Sequence, residues 1–523
     1  MRGAFAAAAL AALLSGPAAG QAPLSAIDWL REAPVEPATA ITVLPLTPPE
    51  SGPAPGISTR PIEAARIEAV GLYPPARVGL PRDIWGPSTA AEIAALLGIL
   101  PVDTLPALRD LAFRLLLAEF DPPAPGSASP DPDGYIAARI ETLMRMGALD
   151  QAGALLDTLD PTSARLAGLK FDLRLLLGDD EAACDGLVRV VQGEAGPQAA
   201  AVGSLPAAAV FCQARGGDWA GADRSLQQAR TGAAQLAPDY LDLLERFADF
   251  DAHAGDTPLV MPANPSPLAW RLLEALGEPV ATQGLPLAYA HADLRGTAGW
   301  RAQIEAAERR VRAGALPPNR LIGLYTERRA AASGGIWERV RRVQALDAAL
   351  GSGNRAAVAT ALLAVWPLIQ EGELEVAFAE LFARPLMAAQ LPGAAGELAT
   401  VVGLLSADYE LAALALPAEA PPRLHRLAAI ARGLAPEGAR ADGADAEAAV
   451  LAAFADPEPL SEIVAARLAE GRLGEELLRA LIRIGASGDP RMLAEGLALL
   501  RHLGLEDIAR RTALQALLLD RRG

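Results

Sequence analysis

The chain has 523 residues, 51% hydrophobic and 21% charged, with 46 basic against 63 acidic side chains and a formal net charge of −17. An acidic surplus of that size repels a phosphate backbone and excludes nucleic acid as a partner class. At about 100–200 residues per domain, the length implies two to four domains or one long repeat array. The basic side chains are almost all arginine, with Lys170 the only lysine, and the chain is crowded with alanine and proline. That bias reads as genomic composition rather than function.

The first residues read as a secretory signal peptide: Arg2 at the tip, an apolar stretch from Ala4 to Leu14, then Ser15, Gly16, Pro17, Ala18, Ala19 and Gly20. Cleavage is expected after Gly20, because a cut after Ala22 would leave Pro23 at the new N-terminus. No Cys follows the apolar stretch to accept a lipid, so the mature chain is expected to be soluble and periplasmic or secreted. Losing residues 1–20 removes Arg2 and no acid, which makes the mature chain one charge more negative. A membrane span needs about 20 consecutive apolar residues. Residues 196–214 are interrupted by Pro197, Gln198, Ser204, Pro206 and Gln213, and the apolar run 356–369 is too short, so both read as helices buried in protein.

Residues 21–62 read as a disordered, Pro-rich linker. Within it, 40–46 is a short apolar run that could add to a sheet edge. Ile27, Trp29 and Leu30 form an aromatic and aliphatic cluster suited to a docking peptide, although the same cluster could fold back on its own chain. From about residue 88 onward, apolar residues recur at three- and four-residue spacing between Gly, Pro and Asp-Pro breaks. Ile136, Ile140, Leu143 and Met144 make one such face, Leu272, Leu273 and Leu276 a second, and Leu478, Leu481 and Ile482 a third. No sustained alternation of period two follows the linker, so the fold is expected to be all-α with almost no sheet.

A join recurs between these helices: Gly147 with Ala152, Gly178 with Ala183, Gly217 with Ala222, Gly372 with Ala377, and Gly504 with Ala509. In each, glycine can take the left-handed conformation that ends one helix, and the alanine five residues on lets two helix backbones approach. Gly147 to Gly178 is 31 residues and Gly178 to Gly217 is 39, which brackets a tetratricopeptide period. At these residues, and most closely at Gly217-Asp218-Trp219-Ala220-Gly221-Ala222, the chain resembles the tetratricopeptide-like α-solenoids of exported bacterial proteins over about half its length. The family's aromatic positions are mostly absent and the spacing is irregular. The resemblance implies irregular helix hairpins stacked into a curve with a concave binding face, and by itself no catalysis.

Proline-rich breaks then divide the chain into an N-terminal helical lobe (63–255), a linker (256–266), a second lobe (267–434) and a C-terminal extension or cap (435–523). Cys184 and Cys212 fall in consecutive helical units. In an oxidising compartment they are expected to form a disulfide rather than remain buried free thiols.

Signatures of chemistry are missing. Lys170 follows Leu169 and cannot belong to a phosphate loop. His253, His291, His425 and His502 are scattered, and no HExxH, paired CxxC or Gly-x-Ser-x-Gly pattern occurs. Neither a metal site nor a cofactor is expected. His253 near Asp251, and His291 near Asp293, are the nearest approach to acid–base pairs. Glu475-Glu476 and Asp179-Asp180 sit at helix starts, where the helix dipole favours negative charge.

One segment runs against the acidic whole. Arg301, Arg309, Arg310, Arg312, Arg320, Arg328, Arg329, Arg339, Arg341 and Arg342 face only Glu305, Glu308, Glu327 and Glu338. On one face, these arginines, with Tyr325 and Trp337 to stack, would form a groove for a carboxylate- or phosphate-bearing partner. Alternatively they solvate outer faces and pair locally, Arg301 with Glu305, Glu305 with Arg309 and Glu308 with Arg312. The expected function is a non-catalytic scaffold that binds an envelope protein or anionic polymer through its helical surface. The rivals are a cell-wall-modifying enzyme or its helical clamp, and a component of an envelope motility or secretion machine. After the helices are assigned, no segment of domain size remains for a catalytic unit.

Overall fold

The computed structural model describes residues 70–125, 133–159, 163–192, 205–231, 238–248 and 264–519, apart from 279, 331, 437–444, 456 and 458. Contacts divide the chain into Met1–Pro61 and Ile62–Gly523, and every described helix belongs to the second unit. The expected signal peptide, the linker 21–62 with Ile27, Trp29 and Leu30, and the run 40–46 lie outside the described residues. So do His253, Asp251 and most of the breaks expected at 256–266 and 435–445.

In chain order the helices are α1 Pro75–Val78, α2 Ala90–Gly98, α3 Pro106–Leu117, α4 Gly134–Arg145, α5 Leu149–Asp157, α6 Ala164–Leu177, α7 Asp180–Gln192, α8 Leu205–Arg215, α9 Trp219–Thr231, α10 Pro238–Ala248 and α11 Pro267–Ala275. Two 3-10 turns follow, Thr282–Gly284 and Leu287–Leu294. Then come α12 Trp300–Arg312, α13 Pro318–Glu327, α14 Gly335–Ser352, α15 Arg355–Glu371, α16 Glu375–Ala388, α17 Gly393–Leu404, α18 Tyr409–Leu414 and α19 Pro422–Ala431. The last are α20 Ala446–Ala455, α21 Glu462–Ala469, α22 Leu473–Ser487, α23 Pro490–His502 and α24 Glu506–Leu518. Among the described residues the fold is all-α as expected, with no strand and two isolated bridges, Tyr73 with Ala118 and Thr89 with Ala124. No described helix is long and apolar enough to cross a membrane.

Local chemistry sets the helix ends. Thr89 and Glu92 form a reciprocal capping box at α2. Ser163, Ser266, Asn354, Ser461 and Asp489 each accept a backbone hydrogen bond at a helix start. The anticipated apolar faces point inward: Ile136, Ile140, Leu143, Leu272 and Leu478 are buried. The joins at Gly147, Gly178, Gly217 and Gly504 behave as the pattern requires, with φ from +73° to +82° at the glycines and Ala152, Ala183, Ala222 and Ala509 buried. The join at Gly372 differs. Gly372 is right-handed and the left-handed residue is Glu373, at φ +51°. Gly372 is small for a different reason: a Cβ there would lie 3.1 Å from the Arg339 guanidinium. Ala377 is only partly buried.

The helices pack as pairs, and the chain also returns on itself. One core runs from Val78 to Leu176, takes in Trp270, Tyr289 and Ala315, and resumes from Leu404 to Leu514. A second occupies Ile304 to Leu405 with Leu519, and a third Phe171 to Leu273. A curved stack with free ends would keep its first and last helices apart, but here α22 and α24 pack on α2 and α3. Gly474 N–H donates to the Ile84 carbonyl at 2.8 Å, Ala107 N–H donates to Gln515 Oε1 at 2.8 Å, and Ser88 Oγ donates to Glu475 Oε2 at 2.7 Å. Gly474 lies so close to buried Trp85 that a Cβ would stand 2.6 Å from the indole. The segment from 445 onward is thus packed against the start of the first expected lobe.

Candidate functional site

The closure of the chain creates a cavity of about 270 Å³ where four distant stretches meet. Helix α3 starts at Pro106, whose missing N–H suits the first helical position, and the next turn supplies Arg109 and Asp110. Helix α12 ends in Arg309, Arg310 and Arg312, with cations at the negative end of its dipole. Gly314 then turns the chain at φ +70°, with its Cβ position 3.4 Å from Arg109 Cδ, toward Pro317 and Pro318. From α16 come Val376 and Ala377, with Glu380 four and three residues further on the same helix face, and from the join before it comes Glu373. Arg511 of α24 completes the wall.

The charges balance in kind: Arg109, Arg312 and Arg511 against Asp110, Glu373 and Glu380. Arg109 is buried, and its guanidinium donates to the Thr104 carbonyl at 2.7 Å and to the Arg312 carbonyl, which fixes the end of α12 against α3. Arg511 Nη2 lies 2.8 Å from Asp110 Oδ2. Arg312 is held loosely, with Nη1 4.0 Å from Glu373 Oε2. Glu380 has no hydrogen bond or ion pair among the described residues, and partial burial, with the Asp110 charge beside it, raises its carboxyl above the ordinary value while Arg511 offsets part of that. Glu373, in its left-handed conformation, is one of two non-glycine residues of positive φ among those described. Such strain persists only where the surroundings hold it, and it concentrates at functional sites.

The arginine-rich segment is dispersed by the fold. Arg310 is buried, with Nη2 3.3 Å from the Gly147 carbonyl, the Ala315 carbonyl and Asp150 Oδ2. Arg309 donates to the carbonyls of Thr282 and Leu285, both at 2.8 Å. Arg339 forms a bidentate pair with buried Glu308, Nε to Oε1 and Nη2 to Oε2, each 2.9 Å, and the buried Tyr325 hydroxyl donates to the same Oε1 at 2.5 Å. The expected Arg301 to Glu305 pair is present at 2.8 Å, while Glu308 turns to Arg339 rather than Arg312. Arg341 and Arg342 pair with Glu338, and Arg328 with Glu327. Arg320 and Arg329 are exposed, and Trp337 packs on Trp300 with ring centroids 5.0 Å apart. Only Arg312 of this set lines the cavity.

Cys184 and Cys212 are bonded, with Cα atoms 5.5 Å apart, and join α7 to α8 as expected. His291 finds Asp150, at 3.5 Å, rather than Asp293, which accepts a hydrogen bond from Thr282. Glu475 and Glu476 are indeed in a first helical turn, but they are also buried and bound by Arg472, Arg479 and Arg467. No group of three or more metal-ligating side chains converges among the described residues. A larger groove of about 550 Å³ lies between α16 and α19, but one continuous stretch of chain walls it, mostly with apolar side chains.

Of the cavity residues from α3, α16 and α24, sequence reading singled out only Ala377, as part of the join at Gly372, and the others carry no motif. The one available signal was the spacing of Val376, Ala377 and Glu380, a helical face that sets an acid beside small apolar residues. No protein-family model, curated protein or solved structure matches the chain.

Proposed function

We propose that the chain is an exported, non-catalytic binding protein of the cell envelope whose recognition site is the mixed-charge cavity at the closure of its helical array. The observation that carries this reading is the convergence of Arg109, Asp110, Arg312, Glu373, Glu380 and Arg511 from four distant stretches around one cavity. Fixed charges in a concave site formed by several elements are the usual makings of a specific binding pocket. The lining has no serine, cysteine, histidine, threonine or tyrosine, so it offers no hydroxyl, thiol or imidazole pair of nucleophile and base. The disulfide fits an oxidising compartment, which supports the signal-peptide reading of residues 1–20.

The partner class is an envelope protein or polymer that presents a charged group to the cavity. The test is in-cell crosslinking and recovery of envelope partners with three forms of the chain. Arg312→Gln with Glu380→Gln should lose a discrete partner that the unaltered chain captures. Changing Arg328, Arg329, Arg341 and Arg342 to Ala should leave it bound. Loss in the surface-arginine variant, with the cavity variant unaffected, would move the site to the arginine-rich helices and overturn this assignment.

A further inference from the structure

The cavity walls constrain the charge of what they can hold. A simple anion would approach Arg312 but meet three carboxylates, and a metal cation would meet three guanidinium groups. A neutral sugar would shield Glu380 and Arg312 from water without supplying either counter-charge, at the cost that accompanies any unpaired buried ion. The two groups with least internal satisfaction have opposite sign: Glu380 has no hydrogen bond or ion pair among the described residues, and Arg312 has a carboxylate only at 4.0 Å. Beside Glu380 the Asp110 charge adds to the negative sign and Arg511 offsets part of it, while the fixed Arg109 stands beside the end of α12. The volume, about 270 Å³, lies at the small end of ligand pockets, which run from about 300 to 1,000 Å³, and suits a small molecule.

We infer that the cavity binds a small zwitterion, a short peptide with both ends free, with its ammonium at Glu380, beside Asp110, and its carboxylate at Arg312. This rests on the reading of the cavity as the recognition site. The ammonium donates to the carboxylates, and the guanidinium donates to the ligand carboxylate through charge-assisted hydrogen bonds. Such a site discriminates by charge: capping either end of the ligand leaves one wall group desolvated and unpaired.

The test is calorimetric titration of the disulfide-bonded mature chain with Ala-Ala, Ala-Glu and Ala-Lys, and with their N-acetyl and C-amide forms. Free dipeptides should bind, and each capped form should bind about tenfold more weakly or worse. Glu380→Gln should weaken a free dipeptide by about tenfold while changing its N-acetyl form less than about twofold, and Arg312→Gln should do the same with respect to the amide. Circular dichroism and an unchanged Tm establish that both variants fold. Equal affinity for free and capped dipeptides, or no binding by any of the three up to about 10 mM, overturns the zwitterion assignment. In that case a crosslinked partner still lost in the cavity variant leaves the proposed function standing. Its absence as well would overturn both.

Discussion

Ser88 and Glu475 are separated by 387 positions in sequence and joined by a hydrogen bond of 2.7 Å in the folded chain. Burial tends to raise the Glu475 carboxyl, but the hydrogen bonds from Ser88, Arg479 and Arg472 outweigh it and hold the group below its ordinary value of 4.5. A carboxyl depressed on folding contributes stability above its unfolded value, and that contribution is lost as pH falls through the folded value. Ser88→Ala should therefore cost about 1–2 kcal/mol near neutrality. The difference from the unaltered chain should shrink below pH 4.5, where Glu475 takes up its proton. Denaturant midpoints across that range measure it, and a pH-independent cost would show that Ser88 acts through packing alone.

Asp172 of α6 gives the opposite sign. Burial pushes its carboxyl up to about 7, and its charge adds to the burial that raises Tyr240 and Tyr289. A folded value above the unfolded 3.8 means that the native state binds the extra proton. The ionised group then costs nothing at pH below 3.8, costs progressively more up to about 7, and costs a constant amount above that. Asp172→Asn should stabilise the chain by up to about 4 kcal/mol in mild alkali and by almost nothing near pH 4. Equal effects at both pH values would contradict the assignment.

Buried Glu308 is held by Arg339 and Tyr325. Arg339→Met should cost about 3–5 kcal/mol, because it strands a carboxylate in the core between α12 and α14. Adding Glu308→Met should recover most of that loss, since removing both charges also removes the desolvation penalty. Unfolding free energies of the two single variants and the double variant complete the cycle, and additive losses would show that the two residues do not act as a pair.

Two joins that look alike should respond differently to the same change. At Gly217 nothing lies within 4 Å of the position a Cβ would take, so Gly217→Ala should cost only the left-handed strain, about 1 kcal/mol. At Gly147 the added methyl would sit 2.7 Å from Leu287 Cγ, so Gly147→Ala should cost about 2–3 kcal/mol as strain and overpacking combine. Thermal unfolding of the two variants ranks them, and equal shifts would mean that Leu287 moves aside freely.

The disulfide between Cys184 and Cys212 closes a 28-residue separation. Loop entropy then gives about 3–4 kcal/mol of stability. Changing both cysteines to Ala should lower the unfolding free energy from denaturant titration by that order, and reductant should do the same to the unaltered chain but leave the variant unmoved.

Much of the local structure was legible because it depends on neighbours. Ile136, Ile140 and Leu143 recur at helical spacing, and they are buried. Gly147, Gly178, Gly217 and Gly504 end in left-handed turns because no other residue adopts that conformation as readily. The join at Gly372 shows the limit of such reading: the glycine is explained by Arg339, a helix earlier in the chain, and the turn passes to Glu373. The arginine-rich segment shows the same limit. Arg301 pairs with Glu305 one helical turn away, as local spacing suggests, while Arg310 reaches Asp150 and Arg339 reaches Glu308.

The sequence by itself determined the all-α character of the described residues, four of the joins between helices and two cysteines in neighbouring helices, since those follow from contacts within a few residues and from the redox chemistry of cysteine. Only the tertiary structure decided that the last helices close on the first, which arginines are buried bolts rather than an exposed face, and where a cavity forms. A helical face records that it needs a partner but not which one. The choice among many apolar and charged faces is made by shape and charge matching across hundreds of residues, as between Ser88 and Glu475 or Asp110 and Arg511.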